Sequence, residues 1–111
     1  MAPPDRPNEE NLLIALRHPL RRSILRAMAD GKPVSPRELS ETLAQPLSNV
    51  SYHVRVLVHC EAVTLVRTKP ARGSIQHFYR RNVQAPWAQE VLAIGEENSG
   101  GAGKSPGSAS T

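Results

Sequence analysis

Between residues 34 and 81, a capped short helix, a tight turn, a second helix carrying polar contact groups and a basic hairpin follow one another. That order predicts a mainly α fold with a small β-hairpin wing, a winged helix-turn-helix. Ser35-Pro36-Arg37-Glu38 has the form of a capping box with proline at the first helical position. Pro46 then interrupts the apolar pattern, so the chain must turn before the next helix begins. Further on, two runs rich in β-branched and aromatic residues flank the tip Pro70-Ala71-Arg72-Gly73-Ser74, which reads as a hairpin.

Residues 1–7 hold Pro3, Pro4 and Pro7 and read as a flexible arm ahead of a domain expected over 8–97. Asn8 can cap a first helix whose opening turn carries Glu9 and Glu10, well placed against the helix dipole. This helix is expected to reach about His18, with Leu12, Leu13 and Leu16 as its apolar stripe. Pro19 suits the first turn of a second helix, which places Leu20, Ile24, Leu25 and Met28 at helical spacing and ends near Gly31. The third helix covers Pro36 to Ala44, with Leu39 and Leu43 four apart on one face, and the fourth covers Leu47 to Cys60.

The strands are expected over Val63 to Lys69 and Ile75 to Arg80. Pro86 can open a last helix in which Trp87, Val91 and Ile94 share a face and which frays near Gly95. The segment 98–111, rich in Ser, Gly and Ala, lacks the apolar content to fold and reads as a disordered tail.

At about 100° per residue from Val50, the residues Val54, Leu57 and Val58 fall on one side of the fourth helix and Ser48, Tyr52, Arg55 and His59 on the other. One face is set to pack and the other is offered outward. Short polar groups near the start of such a helix, Ser48, Asn49 and Ser51, can approach base edges in a major groove. Asn49 suits adenine, and Arg55 supplies a fork matched to guanine or to a phosphate. Tyr52 can stack or hydrogen-bond there, or serve as a partial core residue with its hydroxyl in water. In the hairpin, Arg72 at the tip can enter a minor groove or neutralise phosphates, while Arg67, Lys69, Arg80 and Arg81 are expected on the backbone. His53, on the flank of the buried face, is expected to hydrogen-bond within the domain. The plain alternative is a solvated helix face and a hairpin kept soluble by charge.

The chain's 111 residues have room for one small domain, and a 39% hydrophobic share with 4% aromatic residues supports a modest aliphatic core. A core of that size commonly gains stability by burying surface against a second copy, so a dimer is expected. The formal charge is +4, and from Ala44 to Arg81 Glu61 is the single acid among six Lys and Arg residues. Positive charge is thus concentrated on the segment proposed to read nucleic acid. With one cysteine, Cys60, an internal disulfide is excluded. Lacking a signal peptide or a long apolar run, the chain is expected in a reducing cytoplasm and off the membrane. Paired carboxylates, a glycine-rich phosphate loop and a catalytic triad grouping are missing, which argues against an enzyme.

Leu16-Arg17-His18-Pro19-Leu20-Arg21-Arg22, the run from Pro46 to Leu57 with Val50-Ser51-Tyr52-His53-Val54-Arg55-Val56-Leu57 at its heart, and His77-Phe78-Tyr79-Arg80 together resemble the ArsR-like winged helix-turn-helix transcriptional regulators. The similarity covers Leu12 to Arg81. It implies a homodimer built from the first and last helices, two recognition helices presented to a two-fold-related operator, and repression more often than activation. On that basis Leu12, Leu13, Leu16, Trp87, Val91 and Ile94 are candidates for the dimer interface, with the chain's own core as the competing role for each.

Metal-sensing members carry cysteines on the third helix or His and carboxylate ligands on the last. Here the third helix has neither Cys nor His, and residues 84–97 contain no His. His53, His59 and Cys60 do not make a metal set, because neighbours on a helix point apart and a fourth donor is missing. No metal or cofactor is expected. Cys60 reads as an inert small hydrophobe in preference to a redox trigger. The expected function is a sequence-specific DNA-binding regulator of double-stranded DNA, with an effector that is a small molecule, a partner protein or nothing. The rival is a winged-helix module that binds protein without specific DNA recognition.

Overall fold

The computed structural model describes residues 8–100, with side chains to Ile94. The arm expected over 1–7 and residues 101–111 of the tail expected over 98–111 lie outside the described residues, while residues 98–100 continue the last helix. The elements in order are α1 (Glu9–Leu16), α2 (Pro19–Ala27), α3 (Pro36–Leu43), α4 (Leu47–His59), β1 (Val63–Ala71), β2 (Ser74–Arg81) and α5 (Pro86–Gly100). Gly95 does not end α5. One glycine in a helix costs only about 1 kcal/mol relative to alanine, too little to force a stop.

The starts of α1, α2 and α3 are set by local side-chain caps. Asn8 Oδ1 accepts the Asn11 N–H at 2.8 Å, and His18 Nδ1 accepts the Leu20 N–H at 3.0 Å ahead of Pro19. At α3 the capping box closes in both directions: Ser35 Oγ accepts the Glu38 N–H at 3.2 Å and Glu38 Oε1 accepts the Ser35 N–H at 3.0 Å. Such a cap stabilises by about 1 kcal/mol.

The ends of α3 and α4 are less visible in sequence. Gln45 N–H reaches back to Ser40 O at 3.1 Å and Ala44 N–H to Glu41 O at 3.4 Å, with Ala44 left-handed at φ 54. Ala62 N–H reaches Leu57 O and Glu61 N–H reaches Val58 O, both at 2.9 Å, with Glu61 at φ 64. Both helices therefore close in the same doubled C-terminal hydrogen bond, around a residue that is not glycine.

Arginines on α2 satisfy carbonyls of other segments. Arg21, 9% exposed, donates to Ile14 O at 3.0 Å and Ala15 O at 3.3 Å, and Arg22 donates to Leu16 O at 2.6 Å. Together they close the C-terminal end of α1, whose last carbonyls have no partner within the helix. Arg26 Nε donates to Leu92 O at 3.0 Å and so ties α5 to α2.

β1 and β2 form an antiparallel pair from Val63↔Arg81 to Ala71↔Ser74, with a bulge at Val66 between Leu65 and Arg67. The turn is narrower than the five-residue tip expected: only Arg72 and Gly73 lie outside the ladder, with Gly73 at φ 75. Pro70 sits within β1, which a two-stranded ribbon tolerates because each strand is an edge with one side free of ladder bonds. Val34 pairs with Tyr79 through two 2.9 Å hydrogen bonds and adds a single bridge on the outer side of β2.

The core gathers Leu12, Ala15 and Leu16 of α1, Ile24 and Leu25 of α2, Leu39 of α3, Val50, Val54 and Leu57 of α4, and Ala88 and Leu92 of α5. Leu12 and Leu16 are thus enclosed within the chain itself, which removes them as dimer contacts: apolar area already buried cannot be buried again against a second copy. Leu13, Val91 and Ile94 are exposed, and Trp87 is half-buried against the core. Among the described residues no helix is long and apolar enough to cross a membrane.

Replacing Ala44 or Glu61 by glycine removes the steric cost of a left-handed side-chain-bearing residue while adding some unfolded-chain entropy. Ala44→Gly and Glu61→Gly are each expected to raise unfolding free energy by about 0.5–1 kcal/mol, read from urea midpoints. A loss of stability in both would show that the two turns carry no such strain.

Candidate nucleic-acid interface

The direction of every group on α4 follows from its buried side. Val50, Val54 and Leu57 are at most 2% exposed, so the opposite face, with Ser48, Tyr52, Arg55 and His59, points away from the core. Val58 departs from the expected packing face. It is 40% exposed, because at about 100° per residue it lies at the edge of the Val50–Leu57 line and is only partly covered. Tyr52 is 57% exposed, with its ring edge-on to His53 at 5.0 Å between centroids, so it is not a core residue.

The candidate residues fall into three groups. Ser51 and Arg55 line a cleft of about 360 Å³ whose other walls are the start of α3, including Arg37, and β2 from Ser74 to His77. Ser48, Asn49 and Tyr52 lie outside that cleft, exposed along α4. Arg67, Lys69 and Arg72 are exposed on the hairpin, Arg72 beside the turn glycine. Arg67 holds its guanidinium 4.7 Å from the centre of its cross-strand partner Phe78, a cation–π contact that steadies it without neutralising it.

One expectation changes and two residues are added. Arg81, expected on a nucleic-acid backbone, donates to Leu25 O at 3.2 Å and closes the end of α2 instead. Arg37 and His77, which the sequence reading passed over, line the cleft beside Arg55. The capping box read in the sequence places Arg37 in the first turn of α3, yet only the packing of α3 beside β2 brings it to this surface.

Behind α4 lies a polar joint. Arg21 Nη1 is 3.2 Å from His53 Nδ1, and the His53 ring lies 4.3 Å from that of His18. His53 therefore bonds within the domain, with Nδ1 accepting from the guanidinium and the proton on Nε2. Its pKa is lowered from the usual 6.5 by burial first, then by His18 and Arg21. Cys60 is 4% exposed, and burial pushes its thiol pKa up, partly opposed by Arg21, which disfavours the reactive thiolate. Among the described residues, no group of three or more His, Cys, Asp or Glu side chains gathers as metal ligands do.

A family model described as a helix-turn-helix domain matches residues 16–66, which takes in α2, α3, α4 and the start of β1. The crystal structure of NolR from Sinorhizobium fredii superimposes with a TM-score of 0.56 at 19% identity, over 92% of this chain and 100% of that one. The fold is a winged helix-turn-helix. Its turn is the Ala44–Pro46 connection, its second helix is α4 and its wing is the β1–β2 hairpin. No curated protein sequence matches the chain.

Because His53 is held neutral, the folded winged helix-turn-helix binds that proton less readily than the unfolded chain does. The stability this contributes is complete above pH 6.5 and is lost as pH falls through the lowered folded-state value. Thermal midpoints measured downward from pH 7 should drop in that window, and His53→Gln should flatten the drop. An equal decline in the variant would assign the acid sensitivity to other groups.

Proposed function

We propose that this winged helix-turn-helix chain is a sequence-specific, DNA-binding transcriptional regulator of the ArsR-like type. The observation that carries the reading is the exposed side of α4, held outward by its buried Val50–Leu57 line and flanked by a hairpin with four exposed cations, Arg67, Lys69, Arg72 and Arg80. A helix of this width fits a major groove, where Ser48, Asn49, Ser51 and Arg55 meet base edges and Tyr52 stacks or hydrogen-bonds beside them. The wing cations contact phosphate and set the position of the helix without reading sequence.

Dimerisation through the faces of α1 and α5 completes the proposal. Leu13 and Ile94 are 56% and 57% exposed, and Val91 and the half-buried Trp87 extend the same apolar character along α5. Exposed apolar groups of this size on a small domain are favourably buried against a second copy. Two recognition helices about 34 Å apart then match half-sites one helical turn apart in an inverted repeat, and occupancy of such an operator represses. The exposed Leu65 and Val66 of β1 favour the rival reading, a module that binds protein through its hairpin.

Selection from a random duplex pool should enrich an inverted repeat. Arg55→Ala should weaken binding to that repeat by about 1–3 kcal/mol and relax one base position, and Arg72→Ala should weaken all duplexes alike while reducing the salt slope by about one. If no duplex is retarded at low salt, the protein-binding module is the better account. Sedimentation should show a dimer that Ile94→Asp dissociates. A wild-type chain that stays monomeric at micromolar concentration overturns the dimer.

A further inference from the structure

The cleft between α3, α4 and β2 has a composition that a phosphate backbone alone does not explain. Three elements each bring a nitrogen donor to it: Arg37 from α3, Arg55 from α4 and His77 from β2. None of its lining residues is Asp or Glu. Glu38, the carboxylate next to Arg37 in sequence, is outside the lining and accepts the Ser35 N–H at 3.0 Å. The rest of the wall mixes polar side chains, among them Ser51, Ser74 and Gln76, with hydrocarbon. Leu47 and Ile75 stand 43% and 62% exposed at the rim, with Val54 beneath them. Phosphate contacts need cations at a surface and gain nothing from exposed leucine and isoleucine. An amphiphilic small molecule uses both.

We propose that this cleft binds a small organic anion and that its occupancy excludes duplex DNA. The apolar body of the ligand covers Leu47 and Ile75, and its carboxylate, sulfonate or phosphate takes the guanidinium donors of Arg37 and Arg55. The volume of about 360 Å³ lies within the range of small-molecule sites, about 300–1,000 Å³. Arg55 then has two uses that cannot coincide, since a guanidinium turned to a ligand in the cleft is not available to a base or phosphate. Such a ligand releases the protein from DNA by direct competition, with no change of fold. Binding in the cleft is independent of the DNA-binding reading. The release of DNA rests on it.

Anilinonaphthalene sulfonate, a fluorescent aromatic anion, serves as the probe, with uncharged phenylnaphthylamine as its control. Wild-type protein should bind the sulfonate saturably. Arg37→Ala should weaken it about tenfold, the usual effect of losing one charge-assisted hydrogen bond, while leaving the uncharged control unchanged. Ile75→Asp, an exposed position where a carboxylate repels the anion, should abolish sulfonate binding, with circular dichroism confirming that the domain stays folded. Saturating probe should also release a retarded duplex. If both substitutions leave sulfonate affinity unchanged, the probe sits elsewhere, such as on exposed Leu13 or Ile94, and the site is refuted. Probe binding that leaves the duplex bound refutes the competition. If wild-type protein retards no duplex, the DNA-binding reading and the competition both fall, and the affinities of the two variants alone decide the site.

Discussion

The burial of one side of α4 is the constraint on which the rest of the molecule depends. Val50, Val54 and Leu57 fit among α2, α3 and β1, and each fully buried aliphatic side chain stabilises by about 1.5–3 kcal/mol. With that side fixed, the rotation of the helix about its axis is fixed too. The outward direction of Ser48, Tyr52 and Arg55 is a consequence of core packing and needs no interaction of their own. A polar joint supports the same helix from behind, where Arg21 links the end of α1 to His53. A cation that is only 9% exposed must have its donors satisfied, and here they reach three acceptors on two elements, Ile14 O and Ala15 O of α1 and His53 of α4.

The arginines divide into two populations with different physical work. Arg21, Arg22, Arg26 and Arg81 donate to main-chain carbonyls at Ile14, Leu16, Leu92 and Leu25 and hold helices together. Arg37, Arg55 and Arg72 are exposed on α3, α4 and the wing. A formal charge of +4 therefore overstates nothing in sum but says little about where the field acts, because a guanidinium engaged with carbonyls is less available to a polyanion. The candidate surface owes its character to a few exposed cations and to the scarcity of acids beside them.

Much of the fold was legible in local chemistry. The capping box at Ser35–Glu38, Pro19 in the first turn of α2, and the helical spacing of Val50, Val54 and Leu57 all depend on neighbours within a few residues, and all appear as read. What escaped depends on longer reach. The left-handed Ala44 and Glu61 carry no glycine to announce them, and Arg81 could not be told from Arg80 until α2 was seen beside β2. Leu12 and Leu13 read as one stripe, although a single residue step of about 100° around the helix puts the first in the core and the second in solvent.

By itself the sequence determined the number and order of the elements, the polar side of the second helix and the basic hairpin, because caps, proline breaks and hydrophobic period act over one or two turns of chain. Only the tertiary structure decided which cations are free, which leucines remain available to a partner, and that Arg37, Arg55 and His77 line one cleft. Those outcomes come from elements packed across long stretches of chain, where the distance between two side chains is set by the core between them and leaves no mark in the spacing of residues along the sequence.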